Sequence, residues 1–306
     1  MGRSLLFSSG NKSFEPGVMN RVTAADAAQS APDWNMLSME VRHLQKGQQW
    51  QHNTGEHEVA IVLLGGKCSV KSDKGEWAEI GNRKDVFSGM PWALYLPRHT
   101  EFTVTALTEV LEFAHAWVPS DQDHSAQLVT PADSEIEIRG GHHATRQINT
   151  IIPPGFECHR IVACEVYTPH GNWSSYPPHK HDTHKTDAQG TVVEADLEEF
   201  YFYKIRNTKN QKNGYAVQRV YNDERTLDET VTAHDNDIVL VPEGYHPVSA
   251  AYGYDCYYLN FLAGSAQSLA CTDDPDYAWT RETWEGNQDP RIPMVSHTME
   301  KEAALV

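Results

Sequence analysis

His179 and His181 are separated by one residue in the run Pro177-Pro178-His179-Lys180-His181-Asp182. In an extended chain side chains alternate, so both imidazoles share one face and Lys180 takes the other. Imidazole suits zinc, manganese and iron, and a carboxylate from a neighbouring strand completes a shell for a divalent ion. The segment Leu197-Glu198-Glu199-Phe200-Tyr201 offers that carboxylate, and spacing alone does not choose between Glu198 and Glu199. His246 follows another apolar run, in Pro242-Glu243-Gly244-Tyr245-His246. His179, His181, one of Glu198 and Glu199, and His246 are thus the candidate ligands of one divalent metal ion per chain, Zn, Mn or Fe. Period two puts Tyr201 and Tyr203 on the face of Glu199, and Tyr203 is a candidate catalytic group. Arg219 shares a face with Tyr221. Its planar fork makes it the candidate partner for a substrate carboxylate.

Ligands so far apart in sequence must be brought together by a sheet. From Met36 onward the chain runs in short apolar stretches: 37–44, 59–64, 68–71, 86–88, 94–96, 102–106 and 110–118. Gly65-Gly66, Lys74-Gly75, Gly81-Asn82 and Gly89 supply turns between them. After a polar connector at 119–131 and Gly140-Gly141, the pattern resumes at 161–168, 199–204, 216–221, 238–241 and 254–262, rich in Tyr, Val and Ile. Many short strands with almost no helical period predict an all-β protein of sandwich or barrel type. The halves echo one another. The stretch from Asp85-Val86-Phe87 to Leu94-Tyr95-Leu96-Pro97 resembles Asp237-Ile238-Val239-Leu240-Val241-Pro242, which suggests two copies of one β-unit. The expected division is an N-terminal arm at 1–35, a first barrel at 36–150, a second carrying the metal site at 151–285, and a polar, extended tail at 286–306.

The totals exclude several function classes. A formal charge of -17 argues against nucleic acid and anionic membranes, which bind clustered Lys and Arg. A small anionic substrate remains compatible, since a metal or a few local cations reverse the field inside a cleft. The five cysteines are odd in number and scattered, with no Cys-x-x-Cys pair, so reduced thiols are expected. Residues 1–13 lack the apolar core of a secretory signal, and no apolar run reaches ~20 residues, so a cytoplasmic protein is expected.

The order His-x-His, Glu, then His after Pro-x-Gly resembles the cupin superfamily of small β-barrels. The Glu comes later here than in the usual cupin pattern, and the final His one residue early. A closer match accounts for both. The strings Thr168-Pro169, Gly171 to Asp182, Leu197 to Tyr201, Gln218-Arg219-Val220-Tyr221, Val241 to Val248 and Gly253 to Asn260 resemble a two-cupin family of uronate isomerases. That family serves myo-inositol catabolism and pectin breakdown. The resemblance covers roughly residues 35–285 and implies a bicupin, two tandem cupin barrels. It implies that His179, His181, Glu199 and His246 bind the metal, and it favours Glu199 over Glu198. The implied reaction is the aldose–ketose isomerisation of 5-deoxy-glucuronate, a small anionic sugar acid, to 5-dehydro-2-deoxy-gluconate. The alternatives are the related ketol-isomerase on a pectin-derived deoxy-hexosulose-uronate and an iron-dependent cupin dioxygenase. A homo-oligomer is possible in such a family. The first half lacks a full ligand set. His57 and Glu58 are adjacent and face opposite ways, and His99 follows Pro97 too closely, so the first barrel is expected to be metal-free.

Overall fold

In the computed structural model, residues 4–10, 14–207, 210 and 213–299 are described. The apolar stretches become antiparallel strands in two similar units. The first has a six-stranded sheet ordered Gln127–Val129, Trp92–Leu96, His57–Gly65, Val110–Pro119, Ser38–Gln45, Val18–Val22, and a four-stranded sheet of Gln49–Asn53, Glu101–Ala106, Cys68–Ser72 and Gly75–Ile80. The second repeats the plan. Its large sheet runs Leu6–Phe7, Ile238–Val241, Val192–Ile205, Cys256–Gly264, Val162–Thr168, Arg146–Ile152, Ile136–Arg139. A four-stranded sheet of Trp173–Ser174, Val248–Ala250, Ala216–Tyr221 and Asp228–Ala233 faces it. Val86–Ser88 forms a turn, closed by Ser88 N–H on Asp85 O, rather than the expected strand.

The central strand His57–Gly65 shows why its sequence is continuously apolar. Val59, Ile61 and Leu63 fill the first barrel, while Ala60, Val62 and Leu64 belong to a second core shared with the other unit. A strand buried on both faces has no solvent side on which polar residues would alternate. The shared core takes Trp34 against Phe200, ring centroids 4.8 Å apart, and Tyr95 against Phe156 at 5.8 Å. At its centre the Arg83 guanidinium of the first unit meets Glu165 of the second at 3.0 Å, both buried. Glu165 also accepts from Tyr167, Tyr257 and Asn149, so the buried charge is fully bonded.

Three boundaries differ from the sequence expectation. Strand Ile136–Arg139 pairs with Arg146–Ile152, which in turn pairs with Val162–Thr168, so the second unit begins near residue 135 rather than 151. Their alternating, half-polar composition hid them. The arm is not a free leader: Leu6–Phe7 extends the second unit's sheet at Ile238–Val241, and Val18–Val22 extends the first unit's at Ser38–Gln45. The tail is anchored through its described part. Val295 is buried, and the N–H groups of Met294 and Val295 donate to Gln147 Oε1. Residues 300–306 of the expected tail lie outside the described residues.

Candidate metal centre

The Glu199 strand pairs with Ile238–Val241 on one side and Cys256–Gly264 on the other, which puts it in the middle of the sheet. Glu199 faces inward and is buried. Glu198, the alternative, points the other way. It accepts the backbone N–H groups of Asn35, Met36 and Leu37 at 2.5, 3.1 and 2.7 Å, tying the arm to this strand.

His181 and His246 converge on Glu199. One ligand atom from each of the three lies within 4.8 Å of the other two, all buried. His181 Nε2 is 2.9 Å from Glu199 Oε2, and His246 Nε2 is 3.5 Å from the same oxygen. His179 stands outside that trio but against it, its ring 4.8 Å from that of His246. Each imidazole is oriented through Nδ1 by a backbone carbonyl: His246 by Gly244 O at 2.8 Å, His181 by Leu197 O at 3.3 Å, His179 by Pro177 O at 3.4 Å. A carbonyl on Nδ1 fixes the tautomer that leaves Nε2 free as a ligand. The Pro-x-Gly-x-His turn now has a physical reason. Gly244 has φ +80°, and a Cβ there would sit 2.3 Å from Tyr221 O, so only glycine places the carbonyl that aims His246. Lys180 points away, to Asp223 at 2.5 Å.

The donors fit a metal ion. His246 Nε2 is buried without a hydrogen-bond partner among the described residues, although buried polar atoms are normally bonded. Nitrogen and carboxylate donors converging on one point are the set that divalent zinc, manganese and iron take. Burial holds His246 well below the usual histidine range and takes His179 down to about 3, so both are neutral ligands at pH 7. Burial works against a charged His181, but the hydrogen bond and charge of Glu199 outweigh it and hold its pKa above the ordinary value. Burial likewise raises Glu199.

Around these ligands lies a cavity of about 100 Å³ that also touches Arg146, Ser175, Tyr201, Tyr258 and Asn260. Ser175 Oγ is 2.9 Å from Tyr201 Oη and 3.3 Å from Tyr258 Oη. Burial holds both phenols above the usual tyrosine range, so they are protonated donors at neutral pH. A larger cleft of about 720 Å³ lies between the arm and the second unit. Asp33, Asp196, Asp228, Glu229 and Glu243 line it, the wrong charge for an anionic substrate, and it holds none of the candidate ligands.

Two sequence-based site residues lie elsewhere. Tyr203 shares the face of Tyr201 but sits further along the strand, where its hydroxyl donates to Gln218 Oε1 at 2.8 Å, and it does not line the cavity. Arg219 is on the outer surface of the small sheet. It makes two 2.7 Å bonds to Asp228 and stacks on Tyr221, so its charge is already matched away from the ligands. Arg146 is the residue the sequence reading passed over. It is 3% exposed, lines the cavity, and was hidden as a single cation in an unremarked strand.

The paired barrels and the one donor cluster found among the described residues define a two-domain cupin with a candidate metal centre. The chain belongs to the KduI/IolB family, whose model matches residues 8–280. It is 40% identical over 270 residues to a protein of Geobacillus thermodenitrificans named 5-deoxy-glucuronate isomerase, covering 88% of this chain and 93% of that one. A protein of the same name from Listeria monocytogenes is 37% identical over 276 residues, 89% and 96% of the two chains. Among solved structures, an IolB-like protein from Salmonella typhimurium superimposes with a TM-score of 0.81 at 33% identity, covering 90% of this chain and 99% of its own. A variant of oxalate decarboxylase from Bacillus subtilis superimposes with a TM-score of 0.60 at 14% identity, over 89% and 80% of the chains, a likeness of fold.

Proposed function

We propose that this chain is a metal-dependent aldose–ketose isomerase that converts 5-deoxy-glucuronate to 5-dehydro-2-deoxy-gluconate in cytoplasmic myo-inositol catabolism. The names of its relatives support the substrate. The observation that carries the metal dependence is the aim of His181 and His246, each turned through Nδ1 so that Nε2 meets Glu199. His179, His181, Glu199 and His246 would hold one divalent zinc, manganese or iron ion. When bound, such an ion supplies positive charge beside the substrate's carbonyl and neighbouring hydroxyl, where negative charge develops.

The chain's own groups bind the substrate's oxygens and carry the hydroxyl proton. The reaction moves one hydrogen from C2 to C1 and one proton from the C2 hydroxyl to the C1 oxygen, with no net redox change. Tyr201 and Tyr258, protonated and joined through Ser175, donate hydrogen bonds to substrate oxygens and can pass a proton along three hydroxyls. Apolar side chains of the shared core and of the Leu269–Cys271 segment line the cavity, and such low-polarity walls strengthen each of these bonds.

The test is to incubate metal-replete protein with 5-deoxy-glucuronate and follow both sugars by NMR, before and after chelation, with metal content measured in parallel. Turnover that stops on chelation and returns with metal is expected. Metal-replete protein without turnover overturns the assignment. Running the reaction in D2O separates proton relay, which admits deuterium at the former aldehyde carbon (C6 of the product), from direct hydride transfer.

A further inference from the structure

A buried guanidinium normally has a carboxylate. Arg83, at the centre of the molecule, has Glu165. The more exposed Arg139, Arg219, Arg281 and Arg291 each have one as well. Arg146 is as deeply buried as Arg83, at 3% exposure, yet among the described residues it has no carboxylate partner. Its Nη1 donates to two backbone carbonyls, Tyr176 O at 2.9 Å and Ala144 O at 3.3 Å, which carry no net charge. An uncompensated charge at that depth is expensive unless an anion completes it.

The surroundings say which side the anion comes from. Arg146 lines the cavity of the candidate metal centre, and its charge is felt at His179. The charged side chains around it are already paired, Arg139 with Glu137 and Arg281 with Asp273. In a chain of net charge -17, Arg146 is thus the cation on this wall left without a carboxylate among the described residues. The guanidinium fork matches a carboxylate with two parallel bonds.

We propose that Arg146, rather than Arg219, binds the carboxylate of the substrate and makes the site selective for a sugar acid over the corresponding neutral sugar. This rests on the isomerase reading above and adds the residue that recognises the acid group. The carboxylate at one end of the sugar docks on Arg146, and the carbonyl at the other end is directed to the histidines and Glu199. Burial also brings the Arg146 pKa down to about 10, as expected for a cation whose partner arrives with the ligand.

The rival role is a clamp: through Tyr176 O, Arg146 also holds the loop that leads into His179. Two substrates separate the roles, 5-deoxy-glucuronate and neutral 5-deoxy-glucose, each assayed with metal-replete wild type, Arg146→Gln and Arg146→Lys. Recognition predicts that kcat/KM for the acid falls on the order of 100-fold in Arg146→Gln, mainly through KM, and partly recovers in Arg146→Lys. The rate on the neutral sugar stays within about twofold. Equal losses on both sugars, or none on the acid, overturn the proposal in favour of the clamp. If wild type turns over neither sugar, the isomerase reading fails on its own, and calorimetry with D-gluconate still decides Arg146. Wild type should then bind gluconate at least about tenfold more tightly than Arg146→Lys, and equal binding overturns the assignment. The lysine variant keeps the buried charge, so it also serves if the glutamine variant does not fold.

Discussion

The two barrels are built on one plan and filled in opposite ways. In the second, Glu199 pairs with Val241, the residue before Pro242; in the first, Val59 pairs with Leu96, the residue before Pro97. Val59 is therefore the positional counterpart of Glu199. The turn after each proline also corresponds: Gly244 and His99 both have positive φ two residues beyond it. Where the second barrel gathers His179, His181 and His246, the first packs Trp50 against Phe102 at 5.4 Å, Phe113 at 5.5 Å and His115 at 4.6 Å. One interior gathers histidines around a carboxylate; the other is filled mainly by aromatic rings, with His115 packed among them. The same sheet frame can thus be spent on stability or on chemistry, and a few inward positions decide which.

Substitutions at these matched positions test the contrast. Glu199→Gln should strip the metal and lower kcat/KM by more than the 100-fold or so typical of outer partners, with metal content and activity falling together. Retained metal with retained activity would break the comparison at its strongest point. Next comes the contact that joins the barrels. Arg83→Met leaves Glu165 buried and uncompensated and should cost about 3–5 kcal/mol in urea unfolding, with metal content per folded chain unchanged. Val59→Ala, the matched change in the first barrel, should cost about 2 kcal/mol of stability and leave kcat intact. A large loss of kcat there would mean that the first barrel takes part in the reaction.

The smallest effect is a pH dependence of the first barrel. Burial, with His52 and Arg42 nearby, holds His115 well below its ordinary value of 6.5, and its Nδ1 has no partner. A depressed histidine pKa means that the unfolded chain takes up the proton first, so stability is full above pH 6.5 and falls as pH drops below it. Between pH 6.5 and 5 this one group's cost should grow as pH falls and stay below the Val59→Ala loss. His115→Phe should remove that share of the acid sensitivity, read as the difference between the two urea midpoints across that range.

Much of this was legible in the chain. Strands with continuous apolar runs, such as His57–Gly65 and Ile238–Val241, stood out because burial on both faces leaves an unmistakable composition. The histidine pair and the glycine before His246 stood out because ligand spacing and turn geometry are local properties. Arg219 was misplaced for the converse reason. Strand period gives the face of a residue but not whether that face meets the cavity or solvent, and Asp228, its actual partner, lies across a hairpin. Tyr203 shows the same limit along the strand, since two residues further from Glu199 the barrel interior is packed rather than open. Arg146 had no motif at all; what distinguishes it is a missing partner, which only the assembled structure reveals.

The adjacent pair Glu198 and Glu199 has one more consequence. Glu58, the counterpart of Glu198, accepts the N–H groups of His159, Arg160 and Ile161, just before the strand Val162–Thr168 of the second unit. Glu198 does the same for residues 35–37, just before the strand Ser38–Gln45 of the first. The two units are thus latched reciprocally, and one latch is bonded through the backbone to a candidate ligand. Trimming the N-terminus past Leu37 would leave the Glu198 carboxylate without its donors on the very strand that carries Glu199. An apparently dispensable leader thereby reaches the chemistry from the far side of the sheet.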